Sequence, residues 1–127
     1  MKKILISDQV NEKSVALLKS AGFEVTYNTQ LTREELIKTI PDYNSLIVRS
    51  ATKVDAELIS NMVNMEVIGR AGTGVDNIDV KAASRKGILV MNTPGGNTIS
   101  TAEHTFAMIL ALCRNIPQAG RSLAEGR

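Results

Sequence analysis

Only one cysteine, Cys113, occurs among 127 residues, so the chain can neither close an internal disulfide nor build a cysteine metal site. Tryptophan is absent. The remaining aromatics, Phe23, Tyr27, Tyr43 and Phe106, are scattered and leave no cluster of rings on which single-stranded nucleic acid could stack. Neither sign of charge dominates: fifteen Lys and Arg against thirteen Asp and Glu give a net +2 with no long basic block. Generic nucleic-acid binding loses support, and any anion site must be local. Long hydrophobic runs are missing too. The longest, Phe106 to Cys113, falls far short of a membrane span. The first lysines are followed by the short apolar run Ile4 to Ile6, too little for a signal-peptide core, and a cytoplasmic location is the expectation.

What is present is the composition of an ordinary globular protein, 43% hydrophobic and 22% charged, with room for one domain whose core needs no disulfide or structural metal. The apolar runs are short and regularly spaced. Ile4 to Ile6 reads as a strand, followed by a helix over Asn11 to Ala21 with Val15, Leu18 and Ala21 on one face and Gly22 as its stop. Phe23, Val25 and Tyr27 alternate as a strand does. Thr32 and Glu35 have the spacing of a capping box ahead of Leu36, Ile37 and Ile40, and Pro41 ends that helix. Leu46 to Val48 is a third strand, Asp55 to Met62 a helix, and Val67-Ile68 a fourth strand running into Gly69. Asp79 to Lys86, closed by Gly87, and Ile88 to Met91 complete the series.

Strand centres recur about every twenty residues, the length of a βαβ step with short loops. Five short, continuously apolar strands alternating with helices predict a parallel sheet covered on both faces, an α/β domain of the flavodoxin-like, doubly wound kind. A long helix follows, with Ser100 and Glu103 as a second capping box and Pro117 as its end. Phe106, Met108, Ile109, Leu110 and Leu112 point in too many directions to face one sheet, so part of this helix is expected to pack on another domain or subunit.

Ligands of open parallel sheets lie beyond the carboxyl ends of the strands. Those positions hold Ser7-Asp8, Arg49-Ser50, Arg70 through Gly74, and Asn92 to Pro94. The turn from Gly72 to Gly74 would let backbone amides approach a carboxylate or phosphate, with Arg49 and Arg70 supplying the opposite charge. A small anionic ligand is implied. Each feature has a plainer alternative: a simple turn for the glycines, a helix cap for Asp76 and Asn77, a solvated charge for Arg49. His104 and Cys113 read as packed or surface residues of the long helix. A dinucleotide fingerprint beginning at Gly72-Thr73-Gly74 fails at Asn77, and no acidic residue closes a following strand at the required distance. The chain therefore lacks a complete dinucleotide-binding domain.

The stretches Val67 to Asp79 (VIGRAGTGVDNID), Arg85 to Pro94 (RKGILVMNTP) and Val48 to Val54 (VRSATKV) resemble the D-isomer-specific 2-hydroxyacid dehydrogenases, and the likeness runs essentially from end to end. In that family a flavodoxin-like substrate domain is combined with an NAD-binding Rossmann domain. The resemblance implies a substrate-binding domain over residues 1–97, with 98–127 forming an interdomain helix and the start of an NAD-binding domain. It further implies that Arg49, Ser50 and Arg70 contact a small phosphorylated 2-hydroxy acid. Gly72, Thr73 and Gly74 would meet the substrate carboxylate, with Thr73 also near the nicotinamide of NAD, and Asn97 falls on another substrate-contacting position. The arginine pair suits a doubly anionic substrate. The implied reaction is NAD-dependent oxidation of 3-phospho-D-glycerate to 3-phosphohydroxypyruvate, entering L-serine synthesis. The family's catalytic arginine, glutamate and histidine align beyond Arg127, so no catalytic residue is expected in this chain, and His104 is not that histidine. NAD would be bound mainly outside this chain.

Two rival classes share parts of this pattern. A phosphoacceptor receiver module needs an acidic pocket after the first and third strands and a lysine after the fifth. Here Asp8 stands alone, Arg49 occupies the acceptor position and Asn92 the lysine position. The other rival is a non-catalytic fragment that associates with copies of itself through residues 100–127, making a homo-oligomer.

Overall fold

The computed structural model describes all residues from Met1 to Arg127. Five strands, β1 (Lys3–Ile6), β2 (Glu24–Tyr27), β3 (Ser45–Val48), β4 (Val67–Arg70) and β5 (Leu89–Asn92), form one parallel sheet in the order β2-β1-β3-β4-β5. The helices between them are α1 (Glu12–Ser20), α2 (Arg33–Thr39, continued by a 3-10 turn over Ile40–Asp42), α3 (Ala56–Ser60) and α4 (Val80–Arg85). This is the expected doubly wound α/β arrangement, with a long helix after it. The chain forms two compact units, Met1–Pro94 and Gly95–Arg127.

Register sets one face of the sheet. Leu5 pairs with Leu46, Leu46 with Ile68 and Ile68 with Val90, so these side chains form a row across four strands. Leu36 and Ile40, Leu58, Ile59 and Met62, and Ala82 and Ala83 close over that row in a single buried cluster. Truncating a fully buried member such as Leu46 to alanine is expected to cost about 2–5 kcal/mol. No residue of α1 belongs to this cluster. Because β2 and β3 lie on opposite sides of β1, the right-handed crossover places α1 on the other face. There Val15 and Leu18 are half-buried and Ala21 is exposed. Within Met1–Pro94, α1 covers that face only in part, and Leu18, Ile47, Val67 and Met91 line a groove of about 420 Å³.

Local chemistry explains most element boundaries. The Thr32–Glu35 capping box forms, and Asn11, Asp55 and Asp79 cap α1, α3 and α4 through their side chains. Pro41 does not stop α2 abruptly but sits in the first turn of the 3-10 segment. β2 and β5 each begin one residue later than the apolar pattern suggests. The reason is the same at both: Gly22 (φ 87°) and Gly87 (φ 74°) are left-handed, and the next residue, Phe23 or Ile88, donates its N–H back to Leu18 or Ala83 of the preceding helix. Phe23 and Ile88 thus complete helix-ending motifs rather than opening strands.

In the second unit, α5 spans Thr98–Cys113 and α6 spans Ile116–Ala124. The expected capping box at Ser100 does not form. The helix begins earlier, at Thr98 just after Asn97, and the Ser100 hydroxyl donates to the Asn97 carbonyl at 3.1 Å. Nor does Pro117 end α5. Asn115 turns the chain with φ 51°, and Pro117 lies in the first turn of α6, where its missing N–H costs nothing. Neither helix has a buried residue, and no helix is long and apolar enough to cross a membrane.

Candidate functional site

The order β2-β1-β3 makes the carboxyl ends of β1 and β3 the point where the chain reverses direction across the sheet, and loops that diverge there leave a crevice. Ser7-Asp8 follow β1 and Arg49 to Thr52 follow β3. Asp8 is only 4% exposed. Its Oδ2 accepts hydrogen bonds from the backbone N–H groups of Arg49 at 2.7 Å, Ala51 at 3.1 Å and Thr52 at 3.1 Å, and its Oδ1 accepts from the Thr52 hydroxyl at 2.5 Å. Burial works to raise the pKa of Asp8, but the Thr52 hydroxyl and the N–H groups of Thr52, Arg49 and Ala51 outweigh it. The carboxyl is held below its ordinary value.

Asn77 grips the same loop from the opposite side. Its Nδ2 donates to the carbonyls of Arg49 at 2.6 Å and Thr52 at 2.7 Å, while its Oδ1 is buried without a partner. Asn77 is therefore not a helix cap; that role falls to Asp79, whose side chain accepts from the Ala82 N–H. Backbone bonds between Val54 and the Asn77–Asp79 segment stitch the two loops further, and Arg33 donates to the Lys53 carbonyl at 2.9 Å.

The two arginines differ in what they do. Arg49 is exposed, donates to the Gln9 carbonyl at 3.3 Å, and lines a cavity of about 390 Å³ with Ile6, Val10, Asn11, Ser14, Ile47 and Ala71. It is the one charged residue in that lining, and Asn11 and Ser14 bring the N-terminal turn of α1 to the same cavity. Cation, helix N-terminus and apolar wall together favour a small anion with a carbon skeleton. Arg70, by contrast, is 12% exposed at its side chain. Its Nη1 donates to the Gly74 carbonyl at 2.6 Å, its Nε donates to the Arg49 carbonyl at 3.3 Å, and its Nη2 lies 3.8 Å from the exposed Asp76 carboxylate.

Arg70 also crowds Gly72. A Cβ on Gly72 would lie 2.9 Å from Arg70 Nη1, and one on Gly74 would lie 2.7 Å from Asp76 Oδ1. A side chain at Gly72 would thus have to displace the nearly buried Arg70 guanidinium, whereas one at Gly74 would meet only the exposed end of Asp76. Asn92 holds the turn from β5, donating to the Thr73 carbonyl at 2.6 Å. Thr73 and Ser50 are exposed on this edge. Asn97 belongs to the second unit, at the start of α5, as do the exposed His104 and Cys113. No group of three or more His, Cys, Asp or Glu is placed to hold a metal ion. Sequence reasoning singled out Asp8 by its position after β1 but missed Asn77 and Thr52 as its counterparts.

The pyrophosphate of a dinucleotide has no free helix N-terminus after this turn. After Gly74 the chain runs five residues to Asp79 before α4 begins, and the Asp79 carboxylate occupies that helix N-terminus, where a pyrophosphate would need to sit.

Residues 4–122 match the family described as D-isomer specific 2-hydroxyacid dehydrogenase, catalytic domain, and the chain belongs to that family. Among curated relatives it is 52% identical over 125 residues to the D-3-phosphoglycerate dehydrogenase of Archaeoglobus fulgidus, covering 98% of this chain and 24% of that protein. It is 50% identical over 127 residues to the human D-3-phosphoglycerate dehydrogenase, covering 100% of this chain and 24% of the relative. The chain thus spans about a quarter of the length of these relatives. Among solved structures, a protein of Pyrococcus horikoshii superposes with a TM-score of 0.86 at 28% identity, covering 99% of this chain and 38% of that one. The NAD+-bound 3-phosphoglycerate dehydrogenase of Entamoeba histolytica gives 0.73 at 36% identity, covering 87% and 38%.

Proposed function

We propose that this chain is the substrate-binding part of a cytoplasmic NAD-dependent oxidoreductase that oxidises the 2-hydroxyl of 3-phospho-D-glycerate to 3-phosphohydroxypyruvate, for L-serine biosynthesis. The observation that carries the reading is the placement of Arg49, an exposed guanidinium on an apolar-walled cavity at the switch point of the sheet. The segment bearing it is about half identical to the D-3-phosphoglycerate dehydrogenases. Arg49 and Ser50 would meet one end of the substrate, and Arg70, Gly72, Thr73 and Gly74 the other. Two anionic groups at opposite ends of a three-carbon skeleton call for such a divided cationic edge. Thr73 is the residue assigned to the nicotinamide side, and residues outside these 127 would hold the rest of the NAD and supply the acid-base chemistry.

The assay is NADH formation from 3-phospho-D-glycerate, measured on the full-length protein that carries this segment and on the 127-residue chain. The expected result is turnover by the full-length protein and none by the isolated chain. Failure of the full-length protein on this substrate, with turnover of another 2-hydroxy acid, would replace the substrate assignment.

A second reading concerns the isolated chain. Phe106, Leu110 and Leu112 on α5 are 67%, 59% and 68% exposed, and such a surface favours a non-catalytic homo-oligomer formed through residues 100–127.

A further inference from the structure

We infer that Asp8 and Asn77 are a pair of positioning residues that fix the Arg49–Thr52 loop between them, and that through this loop they set the direction of the Arg49 side chain toward the anion. The inference rests on the substrate-site reading of Arg49 given above. The division of labour is complete in chemical terms. Asp8, an acceptor, takes the loop's N–H groups at Arg49, Ala51 and Thr52; Asn77, through its amide nitrogen, takes the loop's carbonyls at Arg49 and Thr52. Arg49 is thereby held at both its N–H and its C=O, which leaves its backbone little freedom to rotate. A side chain that must present a rigid fork to a carboxylate or phosphate gains from such support.

Two features argue that the arrangement serves the site and not the fold alone. First, the Asp8 carboxylate is engaged by backbone N–H groups and the Thr52 hydroxyl rather than by the neighbouring guanidinium. A buried acid next to an arginine would ordinarily pair with it; here the cation is left facing the cavity. Second, Asn77 keeps a buried Oδ1 without a partner while its Nδ2 makes both carbonyl bonds. Turning the amide over would set its oxygen against two carbonyls, so these two bonds fix the amide's orientation.

The test is a double-mutant cycle in the full-length enzyme, using 3-phosphoglycerate as the probe. Asp8→Asn and Asn77→Ala are each expected to raise KM about tenfold with kcat changed less than about twofold, as for lost uniform binding. In an Arg49→Ala background the same substitutions are expected to change KM less than about twofold, because they act through Arg49. Additive effects in the cycle would show that Asp8 and Asn77 act on the fold and would overturn this inference alone. If Arg49→Ala leaves KM unchanged, the substrate-site reading falls and this inference with it. Should Asp8→Asn fail to fold, Asn77→Ala carries the cycle from the carbonyl side. A substrate-free readout stands beside it: in the 127-residue chain, the amide ¹⁵N–¹H signals of Arg49, Ala51 and Thr52 should move together as Asp8 is protonated. Independent movement of the three signals would show that the clamp does not exist.

Discussion

The guanidinium of Arg70 donates to the carbonyl of Gly74 at 2.6 Å, reaching back across the turn whose far side Gly74 forms. The arginine braces the turn, and a side chain at Gly72 would have to push its guanidinium aside. Gly72→Val should therefore displace Arg70 while leaving the sheet intact. The far-UV circular dichroism of the variant is expected to match the parent, while substrate binding weakens by about 1.5–3 kcal/mol, the worth of a charge-assisted hydrogen bond. Loss of the folded state would mean that the glycine is needed for the turn itself; normal folding with normal binding would refute both roles.

Arg49 and Arg70 should separate in a thermal melt. Arg70 is nearly buried and holds two carbonyls, so Arg70→Ala is expected to destabilise the chain by about 1–3 kcal/mol. Arg49 is exposed, and Arg49→Ala should stay within about 0.5 kcal/mol of the parent. Equal losses of Tm would contradict the difference in burial and bonding between the two arginines.

Acid should weaken the switch-point loop through Asp8. Because its folded-state pKa is depressed, Asp8 contributes stability that is fully present above the ordinary carboxylate pKa of about 4 and is lost as pH falls through the lower folded value. Melting curves of the parent and of Asp8→Asn should differ most near neutral pH and converge below that range. A difference that grew on acidification would reverse the assigned sign.

The exposed face of α5 predicts association. Sedimentation of the 127-residue chain at micromolar concentration should show a species larger than the monomer, and Leu110→Glu should return it to monomer by burying charge in the contact. A monomeric parent would show that these apolar residues do not pair with a second copy.

The sheet was readable because each strand is a short apolar run and the helices before β2 and β5 end at local stops, Gly22 and Gly87; such signals need only neighbouring residues. The boundaries that moved, at Phe23 and Ile88, moved because a hydrophobic residue after a helix-ending glycine bonds back to the helix. α6 went unseen since its opening proline, Pro117, also reads as the end of the helix before it. The site was legible in part. Arg49, Arg70 and the glycine turn announce themselves by charge and spacing, and their common edge follows from the topology. The bonds between Asp8 and the Arg49–Thr52 loop, and between that loop and Asn77, join residues more than twenty positions apart and depend on a register that no local pattern reveals.

Arg49 is proposed to read a phosphorylated 2-hydroxy acid. The most direct measurement is kcat/KM of the full-length protein carrying this segment, with 3-phospho-D-glycerate and with unphosphorylated D-glycerate, before and after Arg49→Ala. A lost charge-assisted contact of about 1.5–3 kcal/mol predicts a fall of roughly 10- to 150-fold on the phosphorylated substrate, with the unphosphorylated one much less affected. Equal falls on both substrates would contradict the account.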